Sequence, residues 1–543
     1  MSAATRLRRN DEDLRIVVLE RGPHVSFANC GLPYHLGGVI EDRDDLLQQT
    51  PASLAARFAI DVRVRQEVVG IDREARTVRV RDLVPGTDYS LGYDALVIAT
   101  GAAPVPPEMV GAERAHVLRD IDDMDRIQGA LSDGPRSAVV IGGGFVGLEV
   151  AENLLARGLA VSVVELSDQV LPPLDPELAA LVADRLTSHG VAVHTGARAV
   201  AVEDDKVELS DGTMVAADLV VSAVGVRPES GLARAAGLTI GERGGMVVDD
   251  EQRTSDPAVF AVGDVAEKRD AVVGGTTLVP LAQTANRHGR LVADVITGRA
   301  TPSRPVLGTA ILRVLGLTAA VTGWSERRLR AAGRDARAIH THPVSHAGYY
   351  PGAEAMALKL LLDPATDRIL GAQAVGGEGV DKRIDVIATA MRAGLTGSDL
   401  ADLELAYAPQ VGSAKDPVNM LGYIADNLHA GLTETVQWHE LEREVADGAL
   451  LVDVRSPAEH AGGRIPGAVN LPVDELRHRM ADLPDRRLVV HCAVGARGHV
   501  AVRMLRQAGY DAVNLDGGFR TWSAGISAGH PSGAERPGGR PAQ

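Results

Sequence analysis

The chain has 543 residues, of which 45% are hydrophobic and 24% charged, and its formal net charge is -16. A chain of this length is too long for one hydrophobic core and divides into about three or four domains. The acidic balance argues against nonspecific nucleic-acid binding, which needs clustered positive charge. Because no apolar run approaches the ~20 residues that span a bilayer, and the N-terminus lacks a secretory apolar core, we expect a cytoplasmic protein outside the membrane.

Alternating strands and helices are predicted over the first 300 residues. Short β-branched stretches at residues 14–20, 94–104 and 259–267 each run into a polar or glycine turn, which is typical of parallel strands. The stretch PLAQTANRHGRLVADVITG, which follows the third strand, predicts a long helix. The pattern favours an α/β nucleotide-binding sheet.

A glycine motif lies between two of these predicted strands. In VVIGGGFVGLEVAENL, Gly142, Gly144 and Gly147 fill G-x-G-x-x-G directly after a strand and at the start of a helix, where backbone amides can bind a pyrophosphate. Glu165 ends the next strand and can accept the ribose hydroxyls of NADH while repelling the extra phosphate of NADPH. The alternatives are a structural glycine turn and a solvated strand-end carboxylate.

Only two cysteines are present, and they are too far apart in sequence to suggest a disulfide. Cys30 lies in SFANCGLPY, and position 35, where a second redox cysteine might fall, is His35, so an internal disulfide is excluded. A single thiolate can instead attack an external disulfide or persulfide. The alternative is a buried structural cysteine.

The second cysteine begins a different motif. Cys492 starts the six-residue loop C-x-x-x-x-R, which Arg497 closes, and the backbone amides of such a loop can surround a thiolate or persulfide anion. This loop, with LLVDVRSP, GRIPGAVNLP and LDGGFRTW, resembles the rhodanese pattern. An inactive rhodanese-like domain is the alternative.

The ATG turn at residues 99–101 and AVGD at 261–264 suggest that the nicotinamide reduces a flavin. With the SFANCGLPY stretch, these motifs resemble the flavin-dependent pyridine nucleotide-disulfide oxidoreductases, specifically the coenzyme A-disulfide reductases and NADH-dependent persulfide reductases that carry a C-terminal rhodanese domain. The resemblance covers essentially the whole chain. It implies FAD, NADH (with NADPH left open) and coenzyme A as ligands, a small thiol, disulfide or persulfide substrate, and a homodimer.

The resemblance also implies an α/β fold with two interleaved Rossmann-like FAD and NAD domains, an α+β dimerisation domain and a C-terminal rhodanese α/β domain. The expected boundaries are 1–115 and 241–304 for the FAD domain, 116–240 for the NAD domain, 305–430 for dimerisation, 435–528 for the rhodanese, and 529–543 for a disordered tail.

By the same resemblance, residues from several segments form the sites. The implied FAD contacts are Glu20, Thr100, Gly101, Asp264 and Ala282, and the implied thiol-substrate contacts beside Cys30 are Ser26 and Asn29. Coenzyme A would contact Ser2, Arg6 and Arg9, which share one helix face, although a solvated basic face explains the arginines almost as well. Tyr349, Tyr407 and Lys415 would reach the partner subunit's cysteine and coenzyme A, their alternative being core or interface packing.

One departure concerns the N-terminus. The family begins with a strand and a glycine-rich loop for the FAD pyrophosphate, whereas this sequence begins at MSAATRLRR, inside the helix that follows that loop. Either the start codon is assigned too late or the chain binds FAD poorly, and we favour the late start.

Together these patterns predict flavin-dependent reduction of coenzyme A disulfide, coenzyme A persulfide or polysulfide through Cys30, coupled to a sulfur-carrying Cys492. Two other functions remain open at this stage. One is a sulfurtransferase or sulfur carrier with a non-functional flavin half, and the other is an NADH oxidase that uses Cys30 as a sulfenic acid.

Overall fold

The structure is a computed structural model that describes residues 1–299 and 302–529. The chain divides into two compact units. Unit 1 comprises Met1–Val164 and Arg198–Gly308, and unit 2 comprises Glu165–Ala197 and Thr309–Gln543. Over the described ranges, none of the helices combines the length and apolar character that a membrane crossing requires. Beyond residue 529, the predicted tail lies outside the described residues.

The α-helices of the described residues are numbered in chain order. They are α1 (Ser2–Asn10), α2 (Leu32–Leu36), α3 (Pro51–Phe58), α4 (Ile121–Ser132), α5 (Phe145–Ala156), α6 (Pro176–Ser188), α7 (Gly231–Ala235), α8 (Ala282–Ile296), α9 (Glu326–Ala331), α10 (Val380–Ala393), α11 (Pro417–His429), α12 (Leu441–Ala446), α13 (Pro457–Ala461), α14 (Val473–Arg479), α15 (Ala496–Gln507) and α16 (Gly518–Ala528).

The strands are numbered in the same way. They are β1 (Val17–Glu20), β2 (Ser26–Phe27), β3 (Leu47–Gln49), β4 (Asp61–Val64), β5 (Gln66–Asp72), β6 (Thr77–Asp82), β7 (Asp88–Gly92), β8 (Leu96–Ile98), β9 (Ala102–Pro104), β10 (His116–Val117), β11 (Ser137–Ile141), β12 (Ala160–Val164), β13 (Ala192–His194), β14 (Ala199–Val202), β15 (Lys206–Leu209), β16 (Met214–Ala216), β17 (Leu219–Ser222), β18 (Val226–Pro228), β19 (Val259–Ala261), β20 (Lys268–Arg269), β21 (Thr276–Thr277), β22 (Ala310–Val314), β23 (Leu317–Gly323), β24 (Arg337–Thr341), β25 (Met356–Leu362), β26 (Ile369–Gly376), β27 (Thr435–Val436), β28 (Leu450–Asp453), β29 (Val469–Asn470), β30 (Leu488–His491) and β31 (Ala512–Leu515).

The strand, glycine turn, helix and strand predicted around Gly142 are present in unit 1. β11 pairs in parallel with β12 on one side and with β17 on the other, and β17 pairs in parallel with β10. α5 connects β11 to β12. The β-branched side chains of β11 are buried, as expected for a central strand covered on both faces.

The rest of unit 1 contains two further parallel pairs, β1 with β4 and β8 with β19, and the antiparallel sheet β5-β6-β7. α1 packs against α8 at a small residue. A Cβ at Gly289 would lie 3.1 Å from the backbone nitrogen of Ala3, so the glycine allows the two helices to approach closely.

Unit 2 contains the antiparallel sheet β22-β23-β26-β25-β24. Its core joins buried residues of β25 and β26 to buried residues of α10 and α11, including Leu360, Ile387 and Leu421. Helices therefore pack on this antiparallel sheet, and the segment has the α+β character expected of the dimerisation domain.

The C-terminal part of unit 2 is a parallel sheet in the order β27-β31-β30-β28-β29, with α15 packed against β30 and β31. β30 is fully buried and runs into the Cys492 loop. The predicted fold class of interleaved nucleotide-binding domains, an α+β domain and a C-terminal α/β domain is confirmed. The exact domain boundaries stay a prediction.

Candidate active site

The G-x-G-x-x-G loop has the geometry that its sequence predicts. A Cβ at Gly142 would lie 2.4 Å from the carbonyl oxygen of Ala223, and a Cβ at Gly147 would lie 1.9 Å from the carbonyl oxygen of Gly142. A Cβ at Gly144, in contrast, would meet no atom within 4 Å. Gly142 and Gly147 are thus required by packing, whereas Gly144 leaves space beside the N-terminus of α5, where a phosphate binds favourably.

The predicted ribose acid, Glu165, belongs to unit 2 and is buried. Its Oε1 accepts a hydrogen bond from the backbone nitrogen of Ser167 at 2.7 Å, and its own backbone nitrogen donates to the carbonyl oxygen of His194 at 2.8 Å. The carboxylate is therefore held in a fixed orientation at the end of its strand.

The residues predicted to contact FAD lie at or just after strand ends of unit 1, except Ala282, which begins a helix. Glu20 ends β1, and its Oε1 accepts from the backbone nitrogen of Gly22 at 2.6 Å. Thr100 Oγ1 donates to the carbonyl oxygen of Glu229, and Gly101, with φ of 71°, follows it. Ala282 is the first residue of α8, which has no side-chain cap on its N-terminus.

Asp264 provides the test of whether this region fits a flavin cofactor. It follows β19 in a single 3-10 turn, Gly263–Val265, and its Oδ1 is buried with no hydrogen-bond partner in the described structure. Burial raises the pKa of Asp264, although nearby Lys268 opposes the shift. A buried acceptor without a donor is costly, so this oxygen fits a ligand hydroxyl.

Lys268, which the sequence analysis did not single out, stabilises the turn that contains Asp264. Its Nζ donates to the carbonyl oxygens of Gly263 at 2.6 Å and Ala266 at 2.8 Å. Burial lowers the pKa of Lys268 to about 8, against the effect of Asp264. The neighbouring His288 is also buried, and desolvation lowers its pKa to about 4, so its imidazole is neutral at pH 7.

Cys30 lies on an exposed 3-10 turn, Asn29–Gly31, between β2 and α2. Ser26 is in β2, and the side chain of Asn29 donates to the carbonyl oxygen of Arg119 at 3.3 Å. A Cβ at Gly31 would lie 2.6 Å from a Leu46 methyl carbon, so the glycine after the cysteine is required by packing. Cys30 is therefore an accessible thiol and not a buried structural cysteine.

α5 carries a carboxylate toward this turn. Tyr34 Oη donates to Glu149 Oε1 at 3.4 Å, which links α2 to the nucleotide-binding helix. Cys30 is accessible, but partial desolvation by the surrounding protein, followed by the charge of Glu149, raises the pKa of its thiol. Burial raises the pKa of Glu149 to about 7, and Glu152 adds to the effect. Sequence analysis missed Glu149, although it follows the last glycine of the motif by two positions.

His35 has a local structural contact that explains its presence. Its Nδ1 lies 2.8 Å from the carbonyl oxygen of Ile40. Cys30 and Cys492 are both free cysteines.

Two of the three residues predicted to contact coenzyme A have protein partners. Ser2 Oγ donates to Asn286 Oδ1, and Arg6 Nε donates to Asp294 Oδ1 at 2.9 Å. Both therefore face α8. Arg9 is exposed, with its guanidinium 6.0 Å from the ring centroid of Phe58.

The neighbouring Arg8, which the sequence did not single out, is buried. It donates to backbone carbonyl oxygens of Phe58, Ala59, Leu14 and the 11–12 turn. Arg8 thus holds α1 in place, and its role is structural.

Tyr349 and Tyr407 of unit 2 form a hydroxyl pair at the surface. Their phenolic oxygens lie 3.0 Å apart, and the side chain of Tyr349 is 77% exposed. The hydrogen bond with Tyr407 raises the pKa of Tyr349. Lys415 is exposed in the loop before α11. The two tyrosines are therefore not core residues, and their hydroxyls are accessible.

The Cys492 loop joins β30 to α15. The Cys492 sulfur is buried and accepts a hydrogen bond from the backbone nitrogen of Gly495 at 3.2 Å. The backbone nitrogens of Phe519 and Arg520 donate to the carbonyl oxygens of Cys492 at 2.8 Å and Ala493 at 3.0 Å. The loop is thereby held in a curved shape by the segment that begins α16, and we call it the Cys492 cradle (residues 492–497).

Arg497 makes a bidentate ion pair with Glu459, at 2.8 Å and 2.6 Å. Hydrogen bonding by Arg497, and then by the backbone and side chain of Ser456, lowers the pKa of Glu459 to about 2 although burial opposes it. Arg497 also interacts with the Cys492 sulfur. Sequence analysis missed Glu459, because it is 38 residues from Arg497 in sequence and only the fold brings the two side chains together.

A second buried polar cluster lies beside the cradle. Asp453 is fully buried, and its carboxylate accepts hydrogen bonds from the backbone nitrogen, the Nε and one terminal nitrogen of Arg455 and from His460 Nδ1, the last at 2.8 Å. Burial would raise the pKa of Asp453, but the bonds with Arg455 and the charge of His491 outweigh it and lower the pKa to about 2. The rhodanese motif LLVDVRSP thus has a structural role in fixing the sheet end that carries the loop.

Together the fold and sites define a nucleotide-binding redox protein with one exposed thiol, joined to an α/β module with a sulfur-binding loop. Family models describe the same parts. Residues 1–289 match the pyridine nucleotide-disulphide oxidoreductase family, residues 310–416 match its dimerisation domain, and residues 437–525 match a rhodanese-like domain. The chain belongs to the pyridine nucleotide-disulphide oxidoreductase family and carries a C-terminal rhodanese-like domain.

Similar proteins include the coenzyme A disulfide reductase of Staphylococcus haemolyticus, which is 32% identical over 431 residues, covering 79% of this chain and 97% of that protein. Among solved structures, reduced CoADR-RHD of Bacillus anthracis is 44% identical with a TM-score of 0.95, covering 97% of this chain and 96% of that one. A NAD-dependent persulfide reductase from A. fulgidus is 38% identical with a TM-score of 0.90, covering 96% and 97% respectively. The resemblance inferred from the motifs is confirmed.

Proposed function

We propose that this protein reduces coenzyme A disulfide, coenzyme A persulfide or a related polysulfide with NADH through Cys30, and that Cys492 carries sulfane sulfur. The observation that carries the proposal is the separation of two free thiols into two different sites: Cys30 exposed on the reductase turn, and Cys492 enclosed by a loop that donates to its sulfur. One site suits attack on a sulfur-sulfur bond, and the other suits storage of a sulfur anion.

The residues of unit 1 that would hold FAD are Glu20, Thr100, Gly101, Asp264 and Ala282, with Asp264 Oδ1 as the free buried acceptor. When bound, FAD would pass the two electrons of NADH to a sulfur-sulfur bond. The nicotinamide cofactor would bind at Gly142, Gly144 and Gly147, with Glu165 accepting from the ribose. A carboxylate in that role favours NADH over NADPH.

The chemistry assigned to Cys30 begins with attack of its thiolate on one sulfur of the substrate. A bond forms between Cys30 and that sulfur, the substrate S–S bond breaks, and the other sulfur leaves as a thiolate that takes up a proton. The mixed disulfide then accepts two electrons, which returns Cys30 as a thiolate and releases the retained half as a thiolate. With a persulfide substrate, the reaction yields sulfide and the free thiol.

The proton for the leaving thiolate is assigned to the Tyr349 and Tyr407 pair. Their hydroxyls are exposed and hydrogen-bonded to each other. One hydroxyl can therefore donate its proton to a ligand while it accepts a hydrogen bond from the other. We propose that they act on the Cys30 of a partner subunit in a homodimer, together with Lys415, whose charge offsets coenzyme A phosphate. Arg9, Ser26 and Asn29 would contact the substrate from the Cys30 side.

The position of Arg6 modifies this substrate site. Because its guanidinium is paired with Asp294, Arg6 would bind a phosphate only as part of that ion pair, whereas Arg9 is exposed and has its charge available. We therefore assign the larger share of phosphate binding to Arg9. Two free cysteines are also consistent with a reducing compartment, and we propose a cytoplasmic location.

Steady-state NADH consumption tests the function. The full chain is compared with its Cys30→Ser and Cys492→Ser variants, with coenzyme A disulfide, coenzyme A persulfide and oxygen as electron acceptors. We expect reduction of the sulfur acceptors to be lost in Cys30→Ser and retained in Cys492→Ser. Full reduction of every sulfur acceptor by Cys30→Ser would show the mechanism to be wrong.

A further inference from the structure

His340 connects three parts of unit 2 at a buried position. It lies on β24, the edge strand of the antiparallel sheet, and is 5% exposed. Its Nδ1 is 2.7 Å from Asp516 Oδ2 and its Nε2 is 2.9 Å from Glu177 Oε1. Asp516 follows β31 in the rhodanese-like domain, and Glu177 is in the first turn of α6, so one imidazole joins the dimerisation sheet to both.

Both ring nitrogens of His340 therefore face carboxylate oxygens. A carboxylate that is ionised only accepts hydrogen bonds, and a neutral imidazole has only one N–H to donate. Glu177 Oε1 also accepts from Lys359 Nζ at 2.6 Å, which keeps that carboxylate ionised. Satisfying both bonds requires a proton on each nitrogen, so the geometry requires an imidazolium.

The imidazolium of His340 lies within a cluster of charged side chains. Lys359, from the neighbouring strand β25, also contacts Asp175 at 3.0 Å and Glu326 at 2.7 Å. Together with Asp516 and Glu177, this makes four carboxylates around the two cations Lys359 and His340. Two further groups are nearby: His342, which directly follows β24 and contacts Thr521, and Arg520 in the first turn of α16.

Burial by itself would lower the pKa of His340, but the hydrogen bonds to Asp516 and then Glu177 outweigh it and raise the pKa to about 9. His342, two residues further along the chain, shows the opposite result, since desolvation lowers its pKa to about 3. The two histidines therefore differ in charge at neutral pH. This difference makes His342 a matched control for His340.

Asp516 directly precedes two glycines, Gly517 and Gly518, and the second of them packs against the Cys492 cradle. A Cβ at Gly517 would lie 2.8 Å from the Cβ of His340, and a Cβ at Gly518 would lie 2.5 Å from the carbonyl oxygen of Cys492. Both glycines have positive φ, 66° and 61°, so this segment has a shape that other residues rarely adopt. Only the backbone of this glycine pair therefore separates His340 from the cradle.

The same edge strand is bound at a second point. Asp516 Oδ2 accepts from the backbone nitrogen of His340 at 2.9 Å, and Gln437 Nε2 donates to the carbonyl oxygen of Ala338 at 3.1 Å. Side chains of the rhodanese-like domain thus satisfy the free edge of β24. The Asp516 contact differs from the Gln437 contact because only the former depends on a titrating group.

We propose that His340 is a positioning residue for Cys492. Its imidazolium holds the Asp516 carboxylate, and with it the Gly517–Gly518 backbone that supports the cradle, against the dimerisation sheet. Loss of one imidazole proton removes one of the two bonds and places a lone pair against a carboxylate, so the cradle loosens and sulfur loading on Cys492 slows. The inference rests only on the sulfur-carrying half of the proposed function.

Sulfur loading of Cys492 from thiosulfate tests this proposal in the full chain, with Cys30→Ser as background so that a single thiol is followed by mass. In this step the Cys492 thiolate forms a bond to the sulfane sulfur of thiosulfate, the S–S bond of thiosulfate breaks, sulfite leaves, and Cys492 becomes a persulfide. The loading rate is compared between His340→Gln and its parent from about pH 6 to pH 10. A glutamine donates to one carboxylate only and does not titrate. The ratio of the two rates at each pH removes any pH effect that the two proteins share.

We expect the parent to load about tenfold or more faster than His340→Gln at pH 7, since a small displacement of reacting groups has effects of this size, and we expect the ratio to fall toward one above pH 9. His342→Gln, the control, should give a ratio that does not change with pH. A His340→Gln ratio that is one at pH 7, or that is constant with pH, would overturn the proposal.

Amide hydrogen exchange at pH 7 gives a readout independent of sulfur chemistry. We expect faster exchange at residues 514–520 in His340→Gln than in the parent or in His342→Gln, and unchanged exchange there would overturn the proposal.

If the parent does not load sulfur, the sulfur-carrying function fails while exchange still tests the role of His340. If His340→Gln does not fold, Asp516→Asn replaces it. Asp516→Asn removes one of the two carboxylates that bind the His340 imidazolium, so the rate of sulfur loading should begin to fall at a lower pH than in the parent. A fall at the same pH as in the parent would contradict the proposed role of His340.

Discussion

Tyr34 on α2 donates its hydroxyl to Glu149 on α5 at 3.4 Å, so the helix that follows Cys30 is hydrogen-bonded to the helix that begins at the dinucleotide loop. The contact is close because a Cβ at Gly37, at the end of α2, would lie 1.9 Å from the side-chain oxygen of Asn153. It brings a half-buried carboxylate to the proposed nucleophile.

Replacing this carboxylate should make Cys30 more reactive. Glu149→Gln removes a negative charge that opposes the Cys30 thiolate, so the pKa of the thiol falls and alkylation at pH 7 becomes severalfold faster. The measurement is the pH dependence of iodoacetamide alkylation in a Cys492→Ser background. Glu152→Gln, one turn along α5, is the control and should have a smaller effect. An unchanged profile in Glu149→Gln would show that the carboxylate does not act on Cys30.

The tyrosine pair allows chemistry to be separated from stability. Because both hydroxyls are exposed, Tyr349→Phe and Tyr407→Phe should leave Tm unchanged, while each lowers kcat for disulfide reduction by about a hundredfold through loss of a proton donor. Tyr350→Phe, at the adjacent position, is the matched control. Equal kcat in all three variants would exclude these hydroxyls from proton transfer.

Alanine substitutions at two glycines of the dinucleotide loop should affect stability and NADH binding differently. Gly147→Ala places a Cβ 1.9 Å from a backbone oxygen, so the loop distorts and thermal stability falls together with NADH binding. Gly144→Ala meets open space within the protein, so the chain folds normally while Kd for NADH rises about tenfold or more. Calorimetry of binding and unfolding distinguishes the two. Normal NADH affinity in Gly144→Ala would place the pyrophosphate elsewhere.

Lys359 should be essential to the stability of unit 2. It is 1% exposed and contacts Asp175, Glu177 and Glu326, so Lys359→Met removes the cation that these three carboxylates share and lowers the free energy of unfolding by about 3–5 kcal/mol. Lys415→Met, at an exposed position, should have almost no effect. Chemical denaturation of the two variants provides the comparison, and equal midpoints would contradict the assignment.

The stability of unit 2 should also depend on alkaline pH. The folded pKa of His340 is about 9, above the ~6.5 of an unfolded histidine, so its contribution is complete below about pH 6.5 and is lost as pH rises through 9. We expect the Tm of the parent to decline over this range more than that of His340→Gln. Parallel declines in the two proteins would show that other groups control the alkaline transition.

The sequence by itself determined the local signals of this protein. A β-branched strand followed by G-x-G-x-x-G specifies a strand, turn and helix because glycine alone tolerates the backbone conformation of Gly142 and the close approach at Gly147. The single cysteine in SFANCGLPY and the C-x-x-x-x-R loop are likewise contiguous. They could be interpreted without a fold because each places its chemistry within a few residues.

Only the tertiary structure decided which distant side chains meet. Nothing near Glu149 in sequence indicates that it acts on Cys30, and nothing near His340 indicates Asp516, 176 residues later. Likewise, Arg6 is paired with Asp294 and Arg8 is buried among carbonyls, although the sequence makes the arginines of α1 look alike. The charge state of a buried group depends on the donors and acceptors that the fold packs around it, and local sequence does not contain that information.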